Sequence, residues 1–176
     1  MADTALAERP QAAQGVEHFD MLIVGAGISG VGSAYHYQQQ CPGKSYVILE
    51  TKDTFGGTWV THNYPGIRSD SDLYTFGYRF KPWISNPIAT RDEILTYMNE
   101  VIEENGISDN VRYGHTITHC SWSSADNLWT VEATRKLDGA TRRFTANFLW
   151  MCQGYYNHDT PYTPDWPGMA DFKGRI

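Results

Sequence analysis

Positive charge is scarce in this sequence. Its 176 residues carry 14 Lys and Arg against 20 Asp and Glu, a net charge of −6. A chain this acidic has no electrostatic footprint for a polyanion, which argues against nucleic acid and anionic membrane as partners. Long apolar runs are scarce too. The longest, Met21 to Ile28, has eight residues and includes two glycines, far short of the ~20 that a membrane span needs. Residues 1–18 include Glu8, Arg9, Pro10 and Glu17 and hold no signal-peptide core, so they read as a disordered polar leader to a cytoplasmic protein. Cysteine is sparse: Cys41, Cys120 and Cys152 are odd in number and form no C-x-x-C pair, which points to free thiols rather than a disulfide framework. Aromatic residues, by contrast, make up 14% of the chain. That surplus suits a flat ligand or a neighbouring polypeptide. The length allows one domain burying roughly 70% of its extended-chain surface, too little for two complete dinucleotide-binding domains.

The hydrophobic pattern spells out an α/β order. Phe19 to Val24, apolar except for Asp20, is a run of strand length, as in a parallel sheet covered on both faces. After Gly25-Ala26-Gly27-Ile28-Ser29-Gly30, residues 29–40 place Val31, Ala34, Tyr35 and Gln38 on one helical stripe that Cys41-Pro42-Gly43 stops. Tyr46 to Glu50 is a second buried strand, completing a βαβ unit. Residues 51–89, rich in Gly, Pro and aromatics, read as ordered loops with short helical turns. Thr90-Arg91-Asp92-Glu93 then opens a helix with a capping box, and Ile94, Leu95, Met98, Val101 and Ile102 form its apolar stripe. Val111 to Tyr113 is a third short strand. Thr116–Ser123, Leu128–Arg135 and Arg142–Phe148 are separated by turn residues and read as an antiparallel meander. Phe148 to Cys152 is read as a further strand returning to the parallel sheet. The expected fold is α/β: a Rossmann-type parallel sheet with flanking helices plus a three-stranded antiparallel β-meander. Residues 19–160 form the domain and residues 161–176 a linker.

The glycines at 25, 27 and 30 follow a strand and open a helix, which is the context a dinucleotide fingerprint needs. They permit a tight turn, close approach of a pyrophosphate to bare backbone, and close helix–strand packing, while the helix N-terminus supplies N–H donors. Glu50 lies twenty residues after Gly30, at the end of the next strand. Its carboxylate can accept from ribose hydroxyls and repels a 2′-phosphate, so the site suits FAD or NAD and disfavours NADP.

Gly56-Gly57-Thr58-Trp59, Tyr64-Pro65-Gly66-Ile67-Arg68-Ser69-Asp70, Ser71 to Gly77, and Cys152-Gln153-Gly154-Tyr155-Tyr156-Asn157 together resemble a class B flavoprotein monooxygenase of the Baeyer-Villiger type. Within that family they resemble the ethionamide-activating branch. The resemblance runs from about residue 19 to the end. It implies FAD bound in this domain, NADPH bound mainly by a second domain, and O2 added to the reduced flavin as a C4a-peroxyflavin that converts a ketone to an ester or lactone. It implies pyrophosphate contacts at Gly25, Gly27, Ser29 and Gly30, and ribose contact at Glu50. It also implies contacts along the ribityl chain at Gly57, Thr58 and Trp59, adenine contact through the backbone at Ile117 and Thr118, and a place for Gly154 beside the cofactor. Asp70 matches a catalytic aspartate that orients an arginine near the flavin, although the residues alone favour a loop cap at the start of Ser71-Asp72-Leu73. Arg68 is either a cofactor-facing cation or a surface charge. The family fingerprint Phe-x-Gly-x-x-x-His-x-x-x-Trp-Pro opens as Phe172-Lys173-Gly174, two residues before the last, Ile176. The expectation is therefore a front piece of a longer protein, inactive alone, whose partner is the remainder of that protein. Oxygenation of a sulfide or an amine is a second reading, and a non-catalytic flavin-binding or docking module a third.

Two weaker constellations remain. His115 and His119, four residues apart on a strand, would share a face with Cys120 opposite, and with no fourth ligand nearby no metal site is expected. Arg135, Lys136, Arg142 and Arg143 flank the Asp138-Gly139 turn, as a solvated hairpin tip or a phosphate contact.

Overall fold

The computed structural model describes residues 15–175. β1 (Glu17–Val24), α1 (Ile28–Gln40) and β2 (Tyr46–Leu49) form the βαβ unit, with Met21 beside Tyr46 in a parallel ladder. β1 therefore starts inside the segment read as leader: Glu17 and His18 are strand, and His18 Nδ1 lies 3.0 Å from Thr145 Oγ1. The rest of that segment, up to residue 14, lies outside the described residues.

Successive residues of β1 and β2 feed opposite faces, as the two-residue period requires. Met21, Ile23, Tyr46 and Ile48 pack under α1 and α4 (Arg91–Glu104) with Val31, Ala34, Ile94, Met98, Val101 and Ile102. Leu22, Val24, Val47 and Leu49 form a second core with Val131, Ala133, Phe144 and Ala146 of the antiparallel strands. α4 begins as its residues dictate: Thr90 Oγ1 accepts from the Glu93 amide, and Glu93 Oε2 accepts from the Thr90 amide at 2.8 Å.

β3 (Val111–Arg112), β4 (His115–Ser123), β5 (Leu128–Arg135) and β6 (Thr141–Met151) complete one six-stranded mixed sheet in the order β3-β2-β1-β6-β5-β4. The meander's third strand and the strand returning to the parallel sheet are one continuous β6, where the sequence suggested two. It runs antiparallel to β5 and parallel to β1. Phe144 and Ala146 enter the second core, while Phe148 and Trp150, on the same side of the strand locally, sit beside Met21 and Ile23 on the helical face. Leu149 also packs on the second core, so the alternation changes phase between Ala146 and Phe148, where the register omits Asp20 and Asn147.

Loop 51–89 holds only α2 (Thr58–Thr61) and α3 (Leu73–Phe76), yet aromatic stacking orders it. The Tyr78 hydroxyl donates to the Ile28 carbonyl at 2.6 Å, and its ring lies so close over α1 that a Cβ at Gly32 would come within 2.8 Å of it. Phe80 stacks on Tyr35 with centroids 3.5 Å apart, and Tyr97 stacks on Tyr78 at 5.6 Å. Much of the aromatic surplus is thus spent holding this loop on α1.

A β-bulge corrects the reading of the histidines. Ile117 pairs with Ala133 but His119 with Glu132, so Thr118 is an extra residue and the alternation changes phase. Ile117 and Cys120 both pack on the second core while His119 is exposed. His115 and His119 therefore do not share a face, and no cluster of three or more metal-ligating side chains occurs among the described residues. No helix among the described residues is long and apolar enough to cross a membrane.

Candidate functional site

The glycine turn joins β1 to α1 with no room for a side chain at Gly25 or Gly30. Gly25 has φ +94°, and a Cβ there would lie 2.8 Å from the Cys152 carbonyl at the end of β6. A Cβ on Gly30 would lie 1.9 Å from the Gly25 carbonyl, so only glycine lets α1 start this close to the strand. Gly27 caps α1 without any side-chain hydrogen bond, and the helix's first turn carries no acidic residue. The first amides of that helix have no acceptor within it, and the macrodipole favours an anion in front of them.

Gly56-Gly57 meets this turn directly. The Gly56 amide donates to the Ala26 carbonyl at 2.9 Å, and a Cβ on Gly57 would stand 3.0 Å from Gly27 Cα. Glu50 is 6% exposed and closes the same turn from β2. Its Oε2 accepts from the Ala26 amide at 2.7 Å and its Oε1 from the Lys52 amide at 2.8 Å. Each carboxylate oxygen retains a second lone pair, so a ribose hydroxyl still has an acceptor. The Glu50 backbone also pairs with the far strands: its amide donates to the Arg112 carbonyl, and its carbonyl accepts from the His115 amide at 2.9 Å. Ile117 and Thr118 follow two and three residues further on. Thr118, the bulged residue, is outside the ladder, with its Oγ1 donating to the Glu132 carbonyl at 3.2 Å. Burial, with the Glu50 charge second, raises the pKa of the neighbouring Tyr113 hydroxyl.

A second group of predicted residues gathers at the start of α4. Arg68 forms an isolated antiparallel bridge with Thr90, and the Ser69 amide donates to the Ala89 carbonyl at 2.8 Å. Arg68 is exposed, its Nε bonded to the Gly66 carbonyl. Asp70 is exposed, and it is not the cap of the following turn: Asp72 fills that role, its Oδ1 accepting from the Thr75 amide at 2.9 Å. The pKa of Tyr156 is raised mainly by its bond with the Tyr155 hydroxyl, and the Asp70 charge adds to the effect. The Asp70 charge thus reaches Tyr156, two residues after Gly154, which itself adopts φ +81°. Trp59 is half-buried with its ring against Phe76.

Sequence reasoning missed Arg91. Its Nε donates to the Trp59 carbonyl at 2.7 Å, joining α2 to α4. A legible signal existed, since a cation at the first position of a helix opposes the macrodipole and needs a local reason. The basic hairpin tip, in contrast, is satisfied locally. Arg135 and Arg142 pair with Asp138, Arg143 with Glu132 and Lys136 with Asp53.

On the other flank of α1 a groove of about 790 Å³ opens between Ile28, Tyr37 and Tyr78 on one side and Met21, Phe148 and Trp150 on the other. It shares only Ser29 with the predicted site residues.

Comparison with known proteins agrees with this architecture. The family model of an NAD(P)-binding Rossmann-like domain matches residues 23–84. Over 161 residues, 91% of this chain, the sequence is 52% identical to the FAD-containing monooxygenase EthA of Mycolicibacterium smegmatis, covering 32% of that protein. The fold is similar to that of an oxidized steroid monooxygenase bound to NADP, with a TM-score of 0.72, 27% identity, and coverage of 87% of this chain and 29% of that one. It is also similar to OTEMO in complex with FAD and NADP, with a TM-score of 0.69, 27% identity, and coverage of 89% and 29%. The chain spans about a third of the length of the curated relatives it matches.

Proposed function

We propose that this chain, a member of the FAD-containing monooxygenase family, is the FAD-binding segment of an NADPH- and O2-dependent monooxygenase that converts ketones to esters or lactones. The observation that carries the cofactor is the closure of the glycine turn. Three close approaches, at Gly25, Gly30 and Gly57, leave bare backbone around the uncapped start of α1, with the Glu50 carboxylate fixed beside it. The names and bound cofactors of the relatives support FAD as the occupant.

In this reading the amides of Gly27, Ser29 and Gly30 meet the pyrophosphate, and Glu50 accepts from the ribose. The backbone at Ile117 and at Thr118, which the bulge releases from the ladder, holds the adenine. Gly57, Thr58 and Trp59 follow the ribityl chain, and Gly154, Arg68 and Asp70 lie at the flavin end. Bound there, the flavin supplies electron transfer from NADPH and activation of O2. The chain's own part is to hold it, to shield it from water, and to present the Asp70 carboxylate. A carboxylate at that place holds the fork of an arginine from the remainder of the protein, so that the guanidinium can offset developing negative charge.

FAD titration tests the first part: the apo chain should quench flavin fluorescence at one equivalent, and a chain that leaves it unquenched overturns the cofactor assignment. The second part needs the chain joined to its remainder. NADPH should bleach the flavin, and a ketone should yield an ester with one added oxygen. A sulfoxide or N-oxide with no ester would replace the ketone reading, and a flavin that NADPH never bleaches would leave a binding module.

A further inference from the structure

Arg91 ties together two loops that the sequence places at the same cofactor but far apart in the chain. From its position and contacts we infer that Arg91 is a positioning residue for the cofactor, setting the spacing between Gly57–Thr61 and Gly66–Asp70 across the flavin end of the site. The inference rests on the FAD reading for the identity of what is positioned, but not for the tie itself.

α2 has only four residues, so its last carbonyls have no amide one turn on to bond them. The Gly57 and Thr58 carbonyls are taken by the Thr61 and His62 amides. Trp59's carbonyl is taken by Arg91 Nε at 2.7 Å. Arg91 is thus the C-terminal cap of α2, supplied from another helix 32 residues away.

The same residue holds the other loop through its backbone. The Arg91 amide donates to the Ile67 carbonyl at 3.3 Å, next to the Arg68–Thr90 bridge and the Ser69–Ala89 bond. The side chain is 23% exposed and its Nη1 lies 2.6 Å from Asp92 Oδ1, which fixes the guanidinium plane. The placement also has an electrostatic cost. A cation in the first turn of α4 opposes the helix dipole that Asp92 and Glu93 otherwise favour. Stability of α4 alone would select against arginine here, whereas a need to hold the Trp59 carbonyl selects for it. Lysine is a partial substitute, since one ammonium lacks the planar fork that reaches Trp59 and Asp92 together.

The test uses the 176-residue chain with Arg91→Met, which keeps the stem and removes the donors, and Arg91→Lys. Amide hydrogen exchange of the apo proteins reads the tie without any ligand. Arg91→Met removes the side-chain bond to Trp59 but keeps the backbone bond to Ile67, so exchange should rise at 59–63 while 67–70 and the α1 and α4 amides keep their protection. FAD affinity then reads the positioning, with an expected loss of roughly 10- to 100-fold in Arg91→Met, a shifted flavin absorption band, and partial recovery in Arg91→Lys. Unchanged exchange at 59–63 would overturn the tie. Normal FAD affinity and an unshifted band in a variant with a loosened 59–63 loop would overturn the positioning role and leave a structural cap. Failure of the wild-type chain to bind FAD would overturn the positioning role together with the cofactor assignment, and the exchange data would still decide whether the tie exists.

Discussion

The carboxylate of Glu50 accepts a hydrogen bond from the amide of Ala26, in the middle of the glycine turn, at 2.7 Å. The residue that the fingerprint assigns to the ribose therefore also fixes the turn that faces the pyrophosphate. The two roles are separable. Glu50→Gln keeps the size and one acceptor oxygen but replaces the other with a donor that faces an amide. The apo chain should lose roughly 1.5 to 3 kcal/mol of stability, the range for a hydrogen bond to a charged group. Glu50→Arg, which offers no acceptor at all, should retain no FAD after desalting. Apo urea unfolding of Glu50→Gln at the wild-type midpoint would show that the carboxylate serves only the ligand. A yellow Glu50→Arg protein would remove it from the site.

A second carboxylate makes stability depend on pH. Asp20 is 8% exposed in β1, where its Oδ2 accepts from the Ser45 amide and hydroxyl at 2.9 Å and its Oδ1 lies 3.2 Å from Lys44 Nζ. Burial pushes its pKa up, but the Ser45 bonds and the Lys44 charge outweigh that and bring it from 3.8 down to about 2. A lowered folded-state value means the native state holds the proton less tightly than the unfolded chain. The group then contributes about 2 kcal/mol above pH 5, which fades as the pH falls from about 4 to 2. Urea midpoints across that window should drop in the wild type and flatten in Asp20→Asn. Parallel curves would assign the acid loss to other groups.

The order of the elements was legible because each rests on a local pattern: an apolar run closed by glycines, a capping box, a turn at Asn127 with φ +53°. What stayed hidden was set by partners far away in sequence. The bulge at Thr118 leaves no mark in a run of alternating Thr, Ile and His, yet it reverses which side His119 and Cys120 face. The continuity of β6 depends on β1 lying beside both of its halves. Glu50 could be read from spacing, but its bond to Ala26 could not. Arg91 was passed over because the capping box around it accounts for Thr90 and Glu93 so completely.

The end of β6 predicts how the chain behaves in solution. Pairing with β5 stops at Ala146, while pairing with β1 continues to Met151. Phe148 and Trp150 are 53% and 44% exposed there, on a strand in the middle of the sheet. Such a strand is normally covered on both faces, and contiguous exposed apolar surface favours association. The isolated chain should self-associate with rising concentration, and replacing both aromatics with threonine should shift the light-scattering mass towards 19.9 kDa. A wild-type chain that stays monomeric at high concentration would mean the groove closes over its own side chains.

Asp70 and Asp72 stand two residues apart and should behave in opposite ways. Asp72 caps α3 through the Thr75 amide, so Asp72→Ala should cost about 1 kcal/mol of stability. Asp70 has no capping role there and is exposed, so Asp70→Ala should stay within about 0.5 kcal/mol of wild type. If Asp70 orients an arginine at the flavin, its loss acts on the chemistry, provided the chain is joined to its remainder. FAD should stay bound, because the glycine turn and Glu50 are untouched. Flavin reduction and ketone oxygenation should slow by roughly 30- to 1000-fold, the equivalent of ~2 to 4 kcal/mol for a charge-assisted pair in a partly dry site. Stopped-flow reduction by NADPH, normalised to bound flavin and set beside the melting temperatures of both variants, separates the two residues. A normal rate in Asp70→Ala would strike Asp70 from the catalytic set, and a lowered melting temperature alongside that rate would return it to the role of a structural turn.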